Sequence, residues 1–425
     1  MPTDPRTDPS RGRTPASPHA PVPPRTETPQ PAPTSWPSFT TEIVEWRPAD
    51  ADYGPRAGRS AHSGPYEAAV APRIADASVH LSSQVAALVA EASAEIARFD
   101  GETHAATTSF AALLLRTEAA SSSQIENLTS SSKAIAMAEL GRKGRANADE
   151  IVATVTAMTR ALAAVDHLDG QAILEMHRAL MAGHASAVAG RWRADQVWIG
   201  GSSRSPHGAA FVAPVHRRVP AAIDDLVAFM SRDDMPLLAQ AALTHAQFES
   251  IHPFPDGNGR TGRALLHAQL RHGGLTREAI VPVSAGLLTD TDRYFEALTV
   301  YRSGDVEPVV VQVCEAVFPA LASSRMLIAD VTGARAVWDD RIRARRGAAA
   351  WALADLVTTR PVVDVRLAAE KLGVTPVNAQ LAIDRLVEDG VLEQVGRGMR
   401  DRVWQAPEIL AAMDRFAARS GHRGW

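Results

Sequence analysis

The chain has 425 residues, 44 Lys and Arg against 48 Asp and Glu, a formal charge of -4, and 45% apolar residues. That length is too great for one typical domain, and the near-balanced charge excludes any argument from net charge for nucleic-acid or membrane attachment. The single cysteine, Cys314, excludes an intrachain disulfide; no apolar run reaches the roughly eighteen residues of a transmembrane helix, and the charged N-terminus has no signal-peptide core, so a cytoplasmic protein without a membrane partner is expected.

Residues 1 to about 45 hold twelve of the 28 prolines and few aliphatic side chains, a composition that predicts a disordered tail. Helix-type spacing then begins. Val79 to Val89 is amphipathic, and Ile151, Val155, Met158, Leu162 and Val165 form a second stripe, with Asn147 and Glu150 as its expected capping pair. Further helices are predicted over 171–181, 219–231, 236–251, 261–272 and 292–302. Between Arg191 and Pro214, two β-prone runs, Gln196 to Ile199 and Ala210 to Val212, predict a hairpin inside a helical domain. The run Val309 to Cys314 reads as core. After Arg346 come helices at 348–357, 365–372 and 376–388, then strands at 391–395 and 402–404 around Gly396-Arg-Gly398. This is the element order of a winged helix-turn-helix. The expected fold is mainly α, divided as tail 1–45, N-terminal helical region 46–145, core 146–335 and C-terminal domain 346–425.

The segment His252-Pro-Phe-Pro-Asp-Gly-Asn-Gly-Arg-Thr-Gly-Arg263 concentrates the chemistry. Pro253 must end the preceding helix near His252. Asp256, Gly257, Asn258 and Gly259 tolerate left-handed geometry, so their N–H groups can turn inward as an anion nest on a helix N-terminus. Arg260 and Arg263 follow on one face and can fork onto phosphate oxygens. Asp256 beside a polyphosphate suits Mg²⁺, and His252 is a candidate general base. His245, Glu249 and His252 also share a helix face, but the zincin order is absent, which disfavours a zinc site.

These twelve residues match the signature of the Fic family, His-x-Phe-x-Asp-Gly-Asn-Gly-Arg-x-x-Arg, and flanking sequence over about 60–320 resembles the rest of a Fic core. The resemblance implies an all-helical core with a small β-hairpin flap that binds Mg·ATP and transfers AMP to a Ser, Thr or Tyr hydroxyl of a target protein. It implies that His252 takes the hydroxyl proton, Phe254 holds the loop, Asp256 holds Mg²⁺, Asn258 and the 257–259 backbone cradle phosphates, and Arg260 and Arg263 hold the β and γ ends. The hairpin, with Trp198, Ile199, Gly200 and Gly201, resembles the flap that registers a target strand; a structural hairpin is the alternative. Tyr294 and Phe295 could line the adenine side or simply fill the core.

Ser122-Ser-Gln-Ile-Glu-Asn127 resembles the family's inhibitory motif, here ahead of the core as in class II members. It implies that Glu126 pairs with Arg263, so that the γ-phosphate loses its anchor; in some Fic proteins the same glutamate supports removal of AMP. The C-terminal domain, with fourteen Arg or Lys and ten Asp or Glu over 341–425, could bind DNA through Asn378, Gln380 and the wing arginines Arg397, Arg400 and Arg402. Dimerisation or target recruitment is the other reading. An AMP transferase is expected, over a nucleotide-sensing DNA-binding regulator and over a relative that moves UMP or phosphocholine.

Overall fold

The computed structural model describes residues 36–46, 64–104, 110–142, 146–164, 166–183, 185–277, 279–396 and 401–421. The tail expected over 1–35 and the roles expected of Val165, Arg397, Gly398 and Arg400 lie outside these residues.

Residues 36–46 are not tail, contrary to expectation. Strand β1 (Thr40–Trp46) pairs antiparallel with β2 (Gly64–Val70), Thr40 opposite Val70 and Trp46 opposite Gly64. Trp36 is buried, its ring 5.8 Å from Phe229 and 6.1 Å from Tyr301. Apolar burial by two aromatics outweighs the local proline composition, which only the long-range partners reveal.

The helices follow as α1 (Ser83–His104), α2 (Ala111–Ile125), α3 (Ser132–Glu139), α4 (Ala146–Ala163) and α5 (Gly170–Met181). After the short strands β3 (Trp198–Ile199) and β4 (Phe211–Val212) come α6 (Val219–Met230), α7 (Leu237–Ile251), α8 (Asn258–His272), α9 (Val283–Leu287), α10 (Thr291–Arg302) and α11 (Glu307–Arg341). Asn147 lies inside α4 rather than at its cap, and its amide donates to the Thr129 carbonyl at 3.1 Å.

Helices α7 and α8 are buried over nearly their whole surface, polar residues included. A helix buried on all sides is a central one, and α4, α2, α5, α6, α10 and α11 surround this pair. The loop joining α7 to α8 is therefore anchored at both ends in rigid core. Helix α11 is long and apolar enough to cross a membrane by length and composition, but its Val309, Val313, Val317 and Leu321 pack in the core, with Cys314 buried among them.

The C-terminal part runs α12 (Ala349–Thr359), β5 (Val362–Val363), α13 (Val365–Leu372), α14 (Pro376–Glu388), β6 (Glu393–Gln394), β7 (Trp404–Gln405) and α15 (Pro407–Arg419). Asp364 caps α13 by accepting from Leu367 N–H at 2.8 Å, and Gly373 in left-handed geometry ends it. The three strands form one antiparallel sheet in the order β5-β7-β6, shorter than the strands expected at 391–395 and 402–404. The unexpected α15 returns to pack on α11, α2 and α3.

Candidate active site

The α7–α8 loop turns at two left-handed residues. His252 closes α7 with φ 51°, and Gly257 precedes α8 with φ 78°. A side chain at Gly257 would have its Cβ 2.8 Å from Leu180, and one at Gly259 would meet the Glu126 carboxylate at 2.0 Å. The positive φ favours glycine at 257, and at 259 a side chain would displace the Glu126 carboxylate. Helix α8 starts at Asn258, three residues before the expected Thr261, and its first intrahelical bond runs from Thr261 N–H to the Gly257 carbonyl at 3.0 Å. The N–H groups of Asn258, Gly259 and Arg260 thus belong to the helix N-terminus, where anions are favoured.

A left-handed histidine costs about 1–3 kcal/mol and persists only when neighbours impose it. Arg193 does so. Its Nε donates to the His252 carbonyl at 2.8 Å, its backbone N–H donates to the Pro253 carbonyl at 3.0 Å, and its guanidinium also reaches the carbonyls of Asp195 and Pro214, one at each root of the β3–β4 hairpin. Burial pushes the Arg193 guanidinium down to about 10, which leaves it charged at neutral pH.

The His252 Nδ1 lies 3.2 Å from the Glu249 carbonyl. A carbonyl only accepts, so Nδ1 carries the proton and Nε2 keeps its lone pair. Burial, with the Arg193 and Arg302 cations adding to it, pushes the imidazole down to about 4 against the partial support of that hydrogen bond, so it is neutral at pH 7.

Phe254 is fully buried and stacks on His177 at 3.7 Å and on Trp192 at 5.0 Å. His177, on α5, accepts from Gly190 N–H through Nδ1 at 3.0 Å and donates from Nε2 to the Asp256 carbonyl at 3.1 Å. Sequence reading missed both His177 and Arg193. No local signal marks either, since each acts through backbone groups distant along the chain. The Asn258 side chain points into the loop, not out of it: Oδ1 accepts from Phe254 N–H and Nδ2 donates to the Phe254 carbonyl, both at 2.9 Å. Its expected cradle role therefore falls to its backbone N–H alone.

Asp256 is 64% exposed at the loop surface; its carboxylate accepts from Gly257 N–H at 2.6 Å and lies 3.7 Å from Arg260. Arg260 is buried, 3.5 Å from Glu150, and its Nε has no hydrogen-bond partner among the described residues. An unsatisfied buried cationic donor beside helix N-terminal N–H groups is an arrangement that an oxyanion satisfies.

Arg263 is already engaged. Its Nε donates to Ser122 Oγ at 2.8 Å, and its Nη2 to the Ser122 carbonyl at 2.7 Å and to Glu126 Oε1 at 2.9 Å. The tip of α2 explains why Glu is followed by Asn. Asn127 takes left-handed geometry (φ 61°) and donates to the Gln124 carbonyl at 2.9 Å, while Leu128 donates to the Ser123 carbonyl at 3.0 Å. This is a Schellman ending, which leaves Glu126 as the terminal side chain over the loop. Tyr294 is buried, with its hydroxyl 2.8 Å from His245 Nε2. Glu249 is also buried here, and burial pushes its carboxyl up to about 7.

The β3–β4 hairpin pairs Trp198 with Val212 and Ile199 with Phe211. The outer edge of β3 has no strand partner among the described residues, Gly200 and Gly201 turn with φ 76° and 71°, and Ile199 is exposed. The β1–β2 hairpin braces it: Trp46 packs edge-on to Trp198 at 5.4 Å, and the Tyr66 hydroxyl donates to Gln196 at 3.1 Å.

Residues 86–163 match the model of the Fic/DOC family N-terminal region, and residues 167–270 match that of the Fic/DOC family. Two similar curated relatives carry the name Protein adenylyltransferase Fic. The one from Drosophila willistoni is 32% identical over 139 residues, covering 32% of this chain and 25% of its own; the one from Nematostella vectensis is 34% identical over 141 residues, covering 32% and 30%. The chain thus spans less than a third of those relatives' length. A crystal structure of a Fic family protein from Desulfovibrio desulfuricans superposes with a TM-score of 0.49 at 21% identity, over 77% of this chain and 97% of that one. Residues 86–163 and 167–270 are thus similar, in chain order, to the N-terminal region and the following domain of the Fic/DOC family.

Proposed function

We propose that this chain is a protein adenylyltransferase that transfers AMP from Mg·ATP to a Ser, Thr or Tyr hydroxyl of a target protein, and that Glu126 holds it in check by occupying Arg263. The observation that carries the reading is the pairing of a neutral His252, with Nε2 free of its Nδ1 hydrogen bond, and a helix N-terminus flanked by two buried arginines.

In the proposed reaction the target hydroxyl oxygen bonds to the α-phosphorus as the bond to the β-phosphate oxygen breaks. The proton passes to His252 Nε2, and pyrophosphate leaves. The chain contributes position and charge neutralisation, which dominate this class of chemistry. Arg260, with its unpartnered Nε, suits the β-phosphate, and Arg263 suits the γ-phosphate once Glu126 releases it. Asp256 is the residue that would hold Mg²⁺: an exposed carboxylate beside a phosphate nest supplies the one hard oxygen that Mg²⁺ takes from protein in such sites. Bound there, the ion would offset charge on the phosphates. The unpaired β3 edge suits a target segment added as a strand.

A second reading, removal of AMP at the same site, is favoured by one contact. Glu126 Oε1 lies 2.0 Å from where a Gly259 Cβ would be, over the nest, where a carboxylate can orient a water. For the C-terminal part, a winged helix that contacts protein fits better than one that reads DNA. On α14, Val377 and Leu381 are 69% and 61% exposed, while Gln380 is already bonded to Asp384 at 2.6 Å and to Arg402 at 3.0 Å.

The test uses ATP labelled at the α-phosphate with wild type, Glu126→Gly and Glu126→Gly/His252→Ala. Label on protein is expected in the first substituted chain and absent from the second. Equal label in both would refute the role of His252, and none in any would refute the transferase reading.

A further inference from the structure

Helix α2 carries two distinct faces. Glu118, Ser122 and Glu126, at its loop-side face or tip, are four residues apart: Glu118 accepts from Ser284 and pairs with His267 at 2.8 Å, and the other two bind Arg263. At 3.6 residues per turn, Thr117, Ala120, Ser121 and Gln124 lie on the opposite side. Those four form one wall of a cavity of about 180 Å³ that is partly open to solvent beside Asp414 and Ala418. Ser130, Ile151, α3 and α15, with Phe416 and Ala417, line the others; most of the wall area is apolar, with Arg116 and Asp414 among its polar residues. A cavity of about 150 Å³ admits a molecule the size of benzene. Ser130 is 6% exposed, and its hydroxyl has no hydrogen-bond partner among the described residues. A buried hydroxyl without a partner is unfavourable, and an occupant with a polar group relieves it.

We propose that this cavity binds a small, mainly apolar molecule, about one aromatic ring in size and bearing one hydrogen-bonding group, and that the occupant holds α2 where Glu126 pairs with Arg263. The binding site stands on the cavity alone; its coupling to the nucleotide rests on the proposed function. The cavity is present in the conformation in which Glu126 and Arg263 are paired. A molecule that fills it favours that conformation by its differential affinity, and by linkage the occupant and Mg·ATP weaken each other. Because α15 follows the C-terminal sheet in the chain and packs on α2, the same cavity joins the C-terminal part to the inhibitory helix.

The probe is para-fluorobenzyl alcohol, followed by fluorine NMR on the full chain, with para-fluorotoluene as the analogue lacking the hydroxyl. Saturable binding is expected, and Ala120→Leu and Ala417→Leu, on two different helices, should each weaken it about tenfold or more. Ser130→Ala should erase the preference for the alcohol. Mg·ATP affinity, read by calorimetry, should fall about fivefold at probe saturation, with the reciprocal loss for the probe, and Glu126→Gly should abolish that coupling. No saturable binding by wild type, or undiminished binding by filled variants that melt as wild type does, overturns the site. Saturable binding with no reciprocal change in Mg·ATP affinity overturns the coupling. Failure of every variant to bind Mg·ATP counts against the adenylyltransferase reading and the coupling together, while the fluorine titration still decides the cavity.

Discussion

Replacing Glu126 by Gln changes one interaction and little else. Arg263 makes three hydrogen bonds to α2, and of these the 2.9 Å contact with Glu126 Oε1 is the one to an anion. The amide keeps the shape and a neutral acceptor while removing the charge. A hydrogen bond between charged partners contributes about twice a neutral one, with the charged kind near 1.5–3 kcal/mol. The Glu126 side chain is 41% exposed, so solvent screening places the loss toward the low end, about 1 kcal/mol. Arg263 would then be released toward a γ-phosphate at lower cost, and Mg·ATP should bind about fivefold tighter. Glu126→Gly removes the remaining bond and clears the space above Gly259, so a gain of about tenfold or more is expected. Calorimetric titration with Mg·ATP, beside a thermal melt of each variant, reads both. An unchanged Mg·ATP affinity in Glu126→Gln and Glu126→Gly, with melting as in wild type, would show that Glu126 and the nucleotide do not compete for Arg263.

The pH profile tests Arg193. Its cation helps to depress the His252 imidazole, so in a Glu126→Gly background Arg193→Gln should move the acid limb of labelling to higher pH, whereas Arg193→Lys should restore the limb but not the full rate. An acid limb that stays put would argue that Arg193 acts by shape alone. Asn258→Ala leaves the Phe254 N–H and carbonyl unpaired in a buried loop; a loss of about 2–4 kcal/mol is expected, seen as a lower denaturant midpoint. Glu249 tests linkage. Burial raises its carboxyl to about 7 in the folded chain, so the folded state holds this proton more tightly than the unfolded state does. Its stability contribution is intact below the ordinary carboxylate range and is lost as pH rises through about 7. Glu249→Gln should therefore gain up to about 3 kcal/mol relative to wild type at pH 8 and little at pH 4. Denaturant curves at both values measure this, and equal differences at the two pH values would refute a raised carboxyl.

Much of the site was legible because its signals are local. Pro253 ends α7, Gly257 permits the left-handed turn, and two arginines at a three-residue spacing follow on α8; each constraint acts within a few residues of chain. The Ser122-to-Asn127 motif was legible only through its resemblance to the family's inhibitory motif; that Asn127 turns left-handed and leaves Glu126 at the helix tip is seen in the structure. What stayed hidden is long-range. The β1–β2 hairpin arises where local composition favours disorder, because Trp36 and Trp46 find partners at Phe229 and Trp198. Asn258 looked like a phosphate ligand, yet its buried amide had two backbone groups to satisfy.

The sequence by itself determined the chemistry the loop can carry: a base, a carboxylate, a nest and two cations. Their types and order follow from backbone rules that need no partner. The tertiary structure alone decided their states. Burial and the Arg193 contacts keep His252 neutral and held in left-handed geometry, and the approach of α2, more than a hundred residues earlier in the chain, puts Ser122 and Glu126 on Arg263. Desolvation and distant contacts are properties of the packed molecule, and no local pattern encodes them.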